Sequence, residues 1–136
     1  MQPTILIIDD NEDEAIITRM VLSKIRRDIR MEVALSGEIG LEIIRKGKVP
    51  PALVLLDLKM PGMNGNEVLR KIRDDRALTG IPVVILTNSD LEADEQACVE
   101  AGADCFLHKA VNLDRFQKDM ECILARWLDT NIPPVS

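Results

Sequence analysis

Five acids occupy the six positions from Asp9 to Glu14, directly after the apolar run Ile5-Ile8. Three other short apolar runs also end in a polar residue. A-L-V-L-L-D ends in Asp57, I-P-V-V-I-L-T in Thr87, and D-C-F-L-H-K in Lys109. These tips offer the carboxylates of Asp9, Asp10 and Asp57, one hydroxyl and one ammonium. Brought together, the carboxylates repel, by roughly 4 kcal/mol for two charges about 4 Å apart at an effective dielectric near 20. Either one takes a proton through a raised pKa, or a hard divalent cation sits among them. Mg2+ prefers oxygen ligands, usually one or two carboxylates with a substrate phosphate. Lys109 offsets only part of the charge, so the cation is the favoured remedy. With Mg2+ bound, Asp57 becomes a nucleophile able to accept a phosphoryl group as an aspartyl phosphate. That transfer needs positive charge around the equatorial oxygens, which Mg2+ and Lys109 would supply. The Thr87 hydroxyl and the backbone N–H groups after Asp57 are further donors.

For these tips to meet, the runs that carry them must be strands of one sheet. Five runs have strand character: Ile5-Ile8, Glu32-Leu35, Leu53-Leu56, Pro82-Leu86 and Cys105-Leu107. Runs that are apolar throughout predict strands buried on both faces, hence a parallel sheet covered by helices. Helical patterns fill the gaps. Asn11 with Glu14 reads as a capping box opening a first helix, with Ile17, Met20, Val21 and Ile25 inward. A second helix is predicted from Glu38 to Lys46, ended by Gly47. A third runs from Asn64 or Gly65 to about Asp75, with Val68, Leu69 and Ile72 inward. A fourth spans Leu91 to Ala101 and stops at Gly102. A fifth spans Asn112 to about Asp129, with Leu113, Phe116, Met120, Ile123, Leu124 and Trp127 on one face. Pro133 and Pro134 rule out further helix. The expected fold is α/β: a doubly wound five-stranded parallel sheet, (βα)5, flavodoxin-like, with right-handed crossovers. Such sheets place their sites outside the carboxyl ends of the strands.

A chain of 136 residues suits one domain, expected over 1–129, with 130–136 as a C-terminal tail or the start of a linker. The formal net charge of −6 argues against a direct nucleic-acid partner. No apolar run has the length of a membrane span and no signal peptide is recognisable, which points to a cytoplasmic protein. Cys98, Cys105 and Cys122 fit no zinc spacing and read as reduced, mostly buried thiols.

The acidic pair Asp9-Asp10, D-L-K-M-P-G-M-N-G from Asp57 to Gly65, L-T-N-S from Leu86 to Ser89 and G-A-D-C-F-L-H-K from Gly102 to Lys109 stand in one order along almost the whole chain. In these motifs the sequence resembles the receiver domain of two-component response regulators, of the stand-alone, chemotaxis-regulator-like kind. The resemblance implies strand order 2-1-3-4-5 and Asp57 as phosphoacceptor. It implies Asp10 and Asp57 as direct Mg2+ ligands, Asp9 acting largely through water, and the backbone carbonyl of Lys59 completing the set. Thr87 would follow the phosphoryl group on activation, Lys109 would pair with it, and Phe106 would be the aromatic that turns inward when Thr87 moves. The donor would be a histidine kinase or a histidine phosphotransfer protein. Output to a downstream protein target would pass through the face of the fourth helix, fifth strand and fifth helix, which is also the candidate homodimer surface. As a signalling receiver the chain would catalyse only its own phosphorylation and dephosphorylation.

Three positions depart from the family pattern. Ala110 follows Lys109 where the family usually has proline after a cis bond, and a cis bond to a non-proline residue costs roughly 3 kcal/mol. The Lys59 side chain should overhang the phosphoryl site, and Asn88 stands where a small residue is common. Both are expected to alter autodephosphorylation.

Plainer readings stand beside these. Asn11, Glu12, Asp13 and Glu14 read as helix capping and dipole charges. Asp57 before Pro61-Gly62 would suit a simple turn, and His108 has no partner at ligand spacing. The cluster Lys24, Arg26, Arg27 and Arg30 suits a helix C-terminus, with docking of an acidic surface as the alternative. Among competing functions, an aspartate-nucleophile phosphatase would carry an acid two residues after Asp57, where Lys59 stands. A nucleotide-binding domain would show a phosphate-binding glycine loop, and none occurs. A pseudo-receiver that binds partners without phosphorylation would not need Asp9, Asp10, Asp57, Thr87 and Lys109 intact.

Overall fold

A computed structural model describes residues 2–88, 92–109 and 112–128. Strands and helices alternate as β1 (Thr4–Ile8), α1 (Glu12–Ile25), β2 (Arg30–Ala34), α2 (Gly37–Lys46), β3 (Leu53–Asp57), α3 (Gly65–Asp74), β4 (Val83–Thr87), α4 (Glu92–Ala101), β5 (Cys105–His108) and α5 (Leu113–Trp127). The strands form one parallel sheet in the order β2-β1-β3-β4-β5. This is the doubly wound (βα)5 fold and the strand order expected.

The strand sequences explain the layering. Every residue of β3 and β4 is buried, and in β1 only Thr4 is not. Ile5, Ile7, Leu53, Leu55, Val84 and Leu86 point to one layer, against Leu22, Phe116 and Met120. Leu6, Ile8, Val54, Leu56, Val83 and Ile85 point to the other, against Val68, Leu69 and Ile72. Two apolar faces are what a sheet with helices on both sides requires.

Several expectations need correction. The outer strands β2 and β5 are only partly buried, because each has a neighbour on one side alone. β2 also begins at Arg30 and ends at Ala34, two residues earlier and one residue earlier than its apolar letters suggested, because its register follows Thr4 to Ile8. In α1 the buried positions are Ala15, Thr18, Val21 and Leu22; Ile17 and Met20 face solvent and Ile25 is only half-buried. In α5, Leu113 is exposed. Of the three thiols only Cys98 is buried; Cys105 lies on the outer strand β5 and is half-covered, and Cys122 is exposed on α5. Trp127 packs half-buried against its cluster, with the Arg126 guanidinium 4.7 Å over its ring.

The helix starts follow their caps. Asn11, Ser36, Asn64 and Asn112 each accept a bond from a backbone N–H of the first turn. At the end of α4, Gly102 has φ +103° and Ala103 N–H donates to Cys98 O at 3.0 Å, a left-handed stop that glycine allows at no steric cost. α4 is thinly anchored: among its described side chains only Cys98 is fully buried. The Lys109–Ala110 bond, Ser89, the expected helix start at Leu91, the helix end at Asp129 and the 130–136 tail lie outside the described residues. No helix among the described residues is long and apolar enough to cross a membrane.

Candidate phosphoryl and metal site

The carboxyl ends of β1, β3, β4 and β5 converge, as the parallel topology demands. Asp9 follows β1, Asp57 closes β3, Thr87 closes β4 and Lys109 follows β5. Asp9, Asp57 and Thr87 are buried, at 2%, 6% and 0% exposure, on strands that are otherwise apolar. Asp10 is exposed at the rim. One carboxylate oxygen from each of Asp9, Asp10 and Asp57 lies within 4.8 Å of the others. An all-oxygen, three-carboxylate cluster with an open side is the donor set a hard divalent cation takes, so these residues fit Mg2+.

Lys109 is the cation facing this cluster. Its Nζ lies 2.9 Å from Asp9 Oδ2 and 3.3 Å from Asp57 Oδ1, and its backbone N–H donates to Thr87 O at 2.7 Å. Burial alone would lower the lysine pKa. The hydrogen bonds to Glu14 and Asp9 and the nearby charge of Asp57 more than offset this, and the group stays above its ordinary value. The Asp57 carboxyl is raised as well, which in an acid disfavours the charged form. Burial pushes it up, Lys109 pulls it down, Asp9 and Glu14 push it up again, and it settles at about 6. A carboxyl in that condition is relieved by a cation and otherwise holds a proton part of the time.

Two local devices fix Asp57. The Leu58 N–H donates to Leu86 O at 3.2 Å, so the first backbone donor after Asp57 belongs to the sheet. Gly65 N–H donates to Leu58 O at 2.9 Å and brings α3 against the β3 end. A Cβ on Gly65 would stand 2.6 Å from Asp57 O and 2.8 Å from Leu58 Cα, so only glycine allows that approach.

The Lys59 side chain does not overhang the cluster. It turns to α4, where Nζ lies 3.3 Å from Asp94 Oδ2. The opposed charge on the first turns of α4 draws it there. Phe106 is half-buried against the α3 and α4 side of the core, with its ring edge-on to His108 at 5.3 Å between centroids.

One residue of the constellation was read from sequence only as a cap. Glu14 Oε2 lies 2.6 Å from Lys109 Nζ, closer than either aspartate, and Oε1 accepts from Asn88 Nδ2 at 3.2 Å. The expected capping box is half made: Asn11 Oδ1 accepts from Glu14 N, while the Asn11 N–H goes to Asp9 Oδ1 rather than to the Glu14 side chain. The available signal was position, since Glu14 stands in the first turn of α1, directly after the acidic end of β1.

The same fold occurs in known proteins. The profile of the "Response regulator receiver domain" matches residues 5–121. The chain is 38% identical over 109 residues to the transcriptional regulatory protein AfsQ1 of Streptomyces coelicolor, covering 80% of this chain and 45% of that protein's length. It is 31% identical over 137 residues to response regulator Rcp1 of Synechocystis sp., covering 97% of this chain and 93% of Rcp1. The crystal structure of the Mn(2+)-bound form of Rcp1 superposes with a TM-score of 0.82 at 32% identity, covering 94% and 96% of the two chains. The phosphorylated cyanobacterial phytochrome response regulator RcpA superposes with a TM-score of 0.86 at 27% identity, covering 96% of each. With its strand order, its acidic strand ends and a profile match over most of its length, this chain belongs to the response regulator receiver domain family, a family of signalling modules.

Proposed function

We propose that this chain is a phosphorylation-controlled switch in which Asp57 accepts a phosphoryl group from a phosphohistidine of a histidine kinase or histidine phosphotransfer protein. The observation that carries the reading is the convergence of Asp57, Asp9, Asp10 and Lys109 at one edge of the sheet. An Asp57 oxygen attacks phosphorus as the P–N bond of the donor breaks, and the bonding pair leaves with the imidazole. Asp9, Asp10, Asp57 and the Lys59 carbonyl would hold Mg2+, which supplies charge neutralisation at the transferring oxygens. Lys109 adds the second positive charge. Thr87, at the adjacent strand end, donates its hydroxyl to the new phosphoryl group, and Phe106 follows it inward. The metal reading is supported by the fit of the carboxylates and by the Mn(2+) bound in Rcp1; the covalent reading is supported by the phosphorylated state of RcpA.

Output follows from where α4 and β5 stand. β5 ends at His108, which pairs with Thr87 and precedes Lys109, and α4 is thinly anchored. A charge added at Asp57 biases their position and so the α4–β5–α5 face, on which a downstream protein or a second copy would dock.

The test is direct. The protein is incubated with acetyl phosphate, with and without Mg2+, and its intact mass recorded. The expected result is a gain of one phosphoryl group that needs Mg2+ and is lost in Asp57→Asn. A protein that stays folded, binds Mg2+ and gains no mass would turn the reading to a pseudo-receiver.

A further inference from the structure

The Glu14 carboxylate is not needed for the cap, yet it makes the shortest bond to Lys109. The Glu14 backbone N–H serves the Asn11 cap, and its side chain leaves the helix for the strand ends, where it takes Lys109 through one oxygen and Asn88 through the other. One carboxylate therefore ties the first turn of α1 to the residue after β4 and to the residue after β5. Burial would raise its pKa, but the bond and charge of Lys109 and the Asn88 amide outweigh that and hold it low, so it is anionic at neutral pH. Lys109 is shared: Glu14 at 2.6 Å, Asp9 at 2.9 Å and Asp57 at 3.3 Å, the phosphoacceptor being the most distant of the three.

We propose that Glu14 is a positioning residue that retains the Lys109 ammonium in the unphosphorylated state and competes for it with the phosphoryl group on Asp57. The proposal rests on the phosphorylation reading above. To pair closely with a phosphoryl group on Asp57, the ammonium must shift toward Asp57, which weakens the bond to Glu14. The same carboxylate restrains Asn88, the neighbour of Thr87, so following the phosphoryl group with Thr87 works against Glu14 a second time. Glu14 thus weights the switch toward its resting state and lowers the affinity of the site for a bound phosphoryl group.

The experiment titrates beryllium fluoride, a tetrahedral phosphoryl mimic, into the full chain in saturating Mg2+ by calorimetry. Glu14→Gln keeps the side-chain shape and the cap and removes the charge on Lys109. Asp13→Asn removes one charge from an exposed neighbour on the same turn and serves as the control. Glu14→Asp keeps the charge on a shorter arm. The expected result is about three- to tenfold tighter binding for Glu14→Gln, under about twofold change for Asp13→Asn, and partial return for Glu14→Asp. Unchanged or weaker binding in Glu14→Gln overturns the proposal, as does an equal gain in Asp13→Asn, which would reduce the effect to net charge. Failure of the folded wild-type protein to bind the mimic overturns the phosphorylation reading itself, and so the two failures are distinct.

Discussion

Asp57 carries the cost of its own position. It is buried beside two acids, and its carboxyl is raised from 3.8 to about 6. In the unfolded chain it ionises near 3.8, so between about pH 4 and 6 the folded protein binds the extra proton. Stability contributed by the neutral carboxyl is present below pH 4 and is lost as the pH rises through about 6. Metal-free Asp57→Asn should therefore be more stable than wild type at pH 7, by about 1–2 kcal/mol once the solvent at the site is allowed for, and equal to it near pH 4. Urea melts of both proteins in chelator at the two pH values check this. Asp9, Asp57, Thr87 and Lys109 were legible in the sequence because each ends an apolar strand, where a polar residue has no packing reason to stand. Glu14 was hidden because an acid in a first helical turn already has a sufficient local explanation. The direction of the Lys59 side chain was hidden too, since its partner Asp94 comes from an element whose placement only the fold determines.

At the scale of elements, the approach of α3 to β3 decides how well Asp57 is held. Gly65→Ala drives a Cβ into the Asp57 carbonyl and Leu58, backbone atoms that cannot turn aside. It should destabilise the protein by about 1–3 kcal/mol and weaken Mg2+ binding. Gly80→Ala meets open space and should leave both nearly unchanged or slightly improve stability. Chemical denaturation and Mg2+ titration of the two variants separate these outcomes. Element types were readable throughout, from strand runs, caps and stops. What faced inward was less so. Apolar spacing pointed to Ile17 and Met20 on α1, yet α1 buries Ala15 and Thr18, because a small residue and a hydroxyl satisfied by Glu14 O let the helix lie close to the sheet. Burial depends on the opposing surface, and periodicity within one helix does not describe that surface.

Across the whole molecule, the edge of the sheet opposite the site is gathered by one side chain. Arg73 on α3 donates to the carbonyls of Gly102, Thr79 and Ile81 and to Asp104 Oδ2, each at 2.8 Å, while Asp104 Oδ2 also accepts from Val83 N. It joins the carboxyl end of α3 to the approaches to the amino ends of β4 and β5. Arg73→Met takes this donor from three carbonyls and leaves Asp104 with the Val83 N–H but without its cation, and should lower stability by about 2–4 kcal/mol, read from urea denaturation. Acceptance of phosphoryl by the remaining folded protein should keep its wild-type rate, since the site lies at the other edge. The site edge, by contrast, bears on time. Lys109 meets acids that precede it by 100, 95 and 52 positions, and its strand is the last laid into the sheet by sequence. A growing chain on the ribosome can complete β1 through β4 and still lack the ammonium. On the proposed function, newly made protein would therefore be deaf to its signal until synthesis has passed β5, and a fragment truncated before that strand would have the acids without the means to answer.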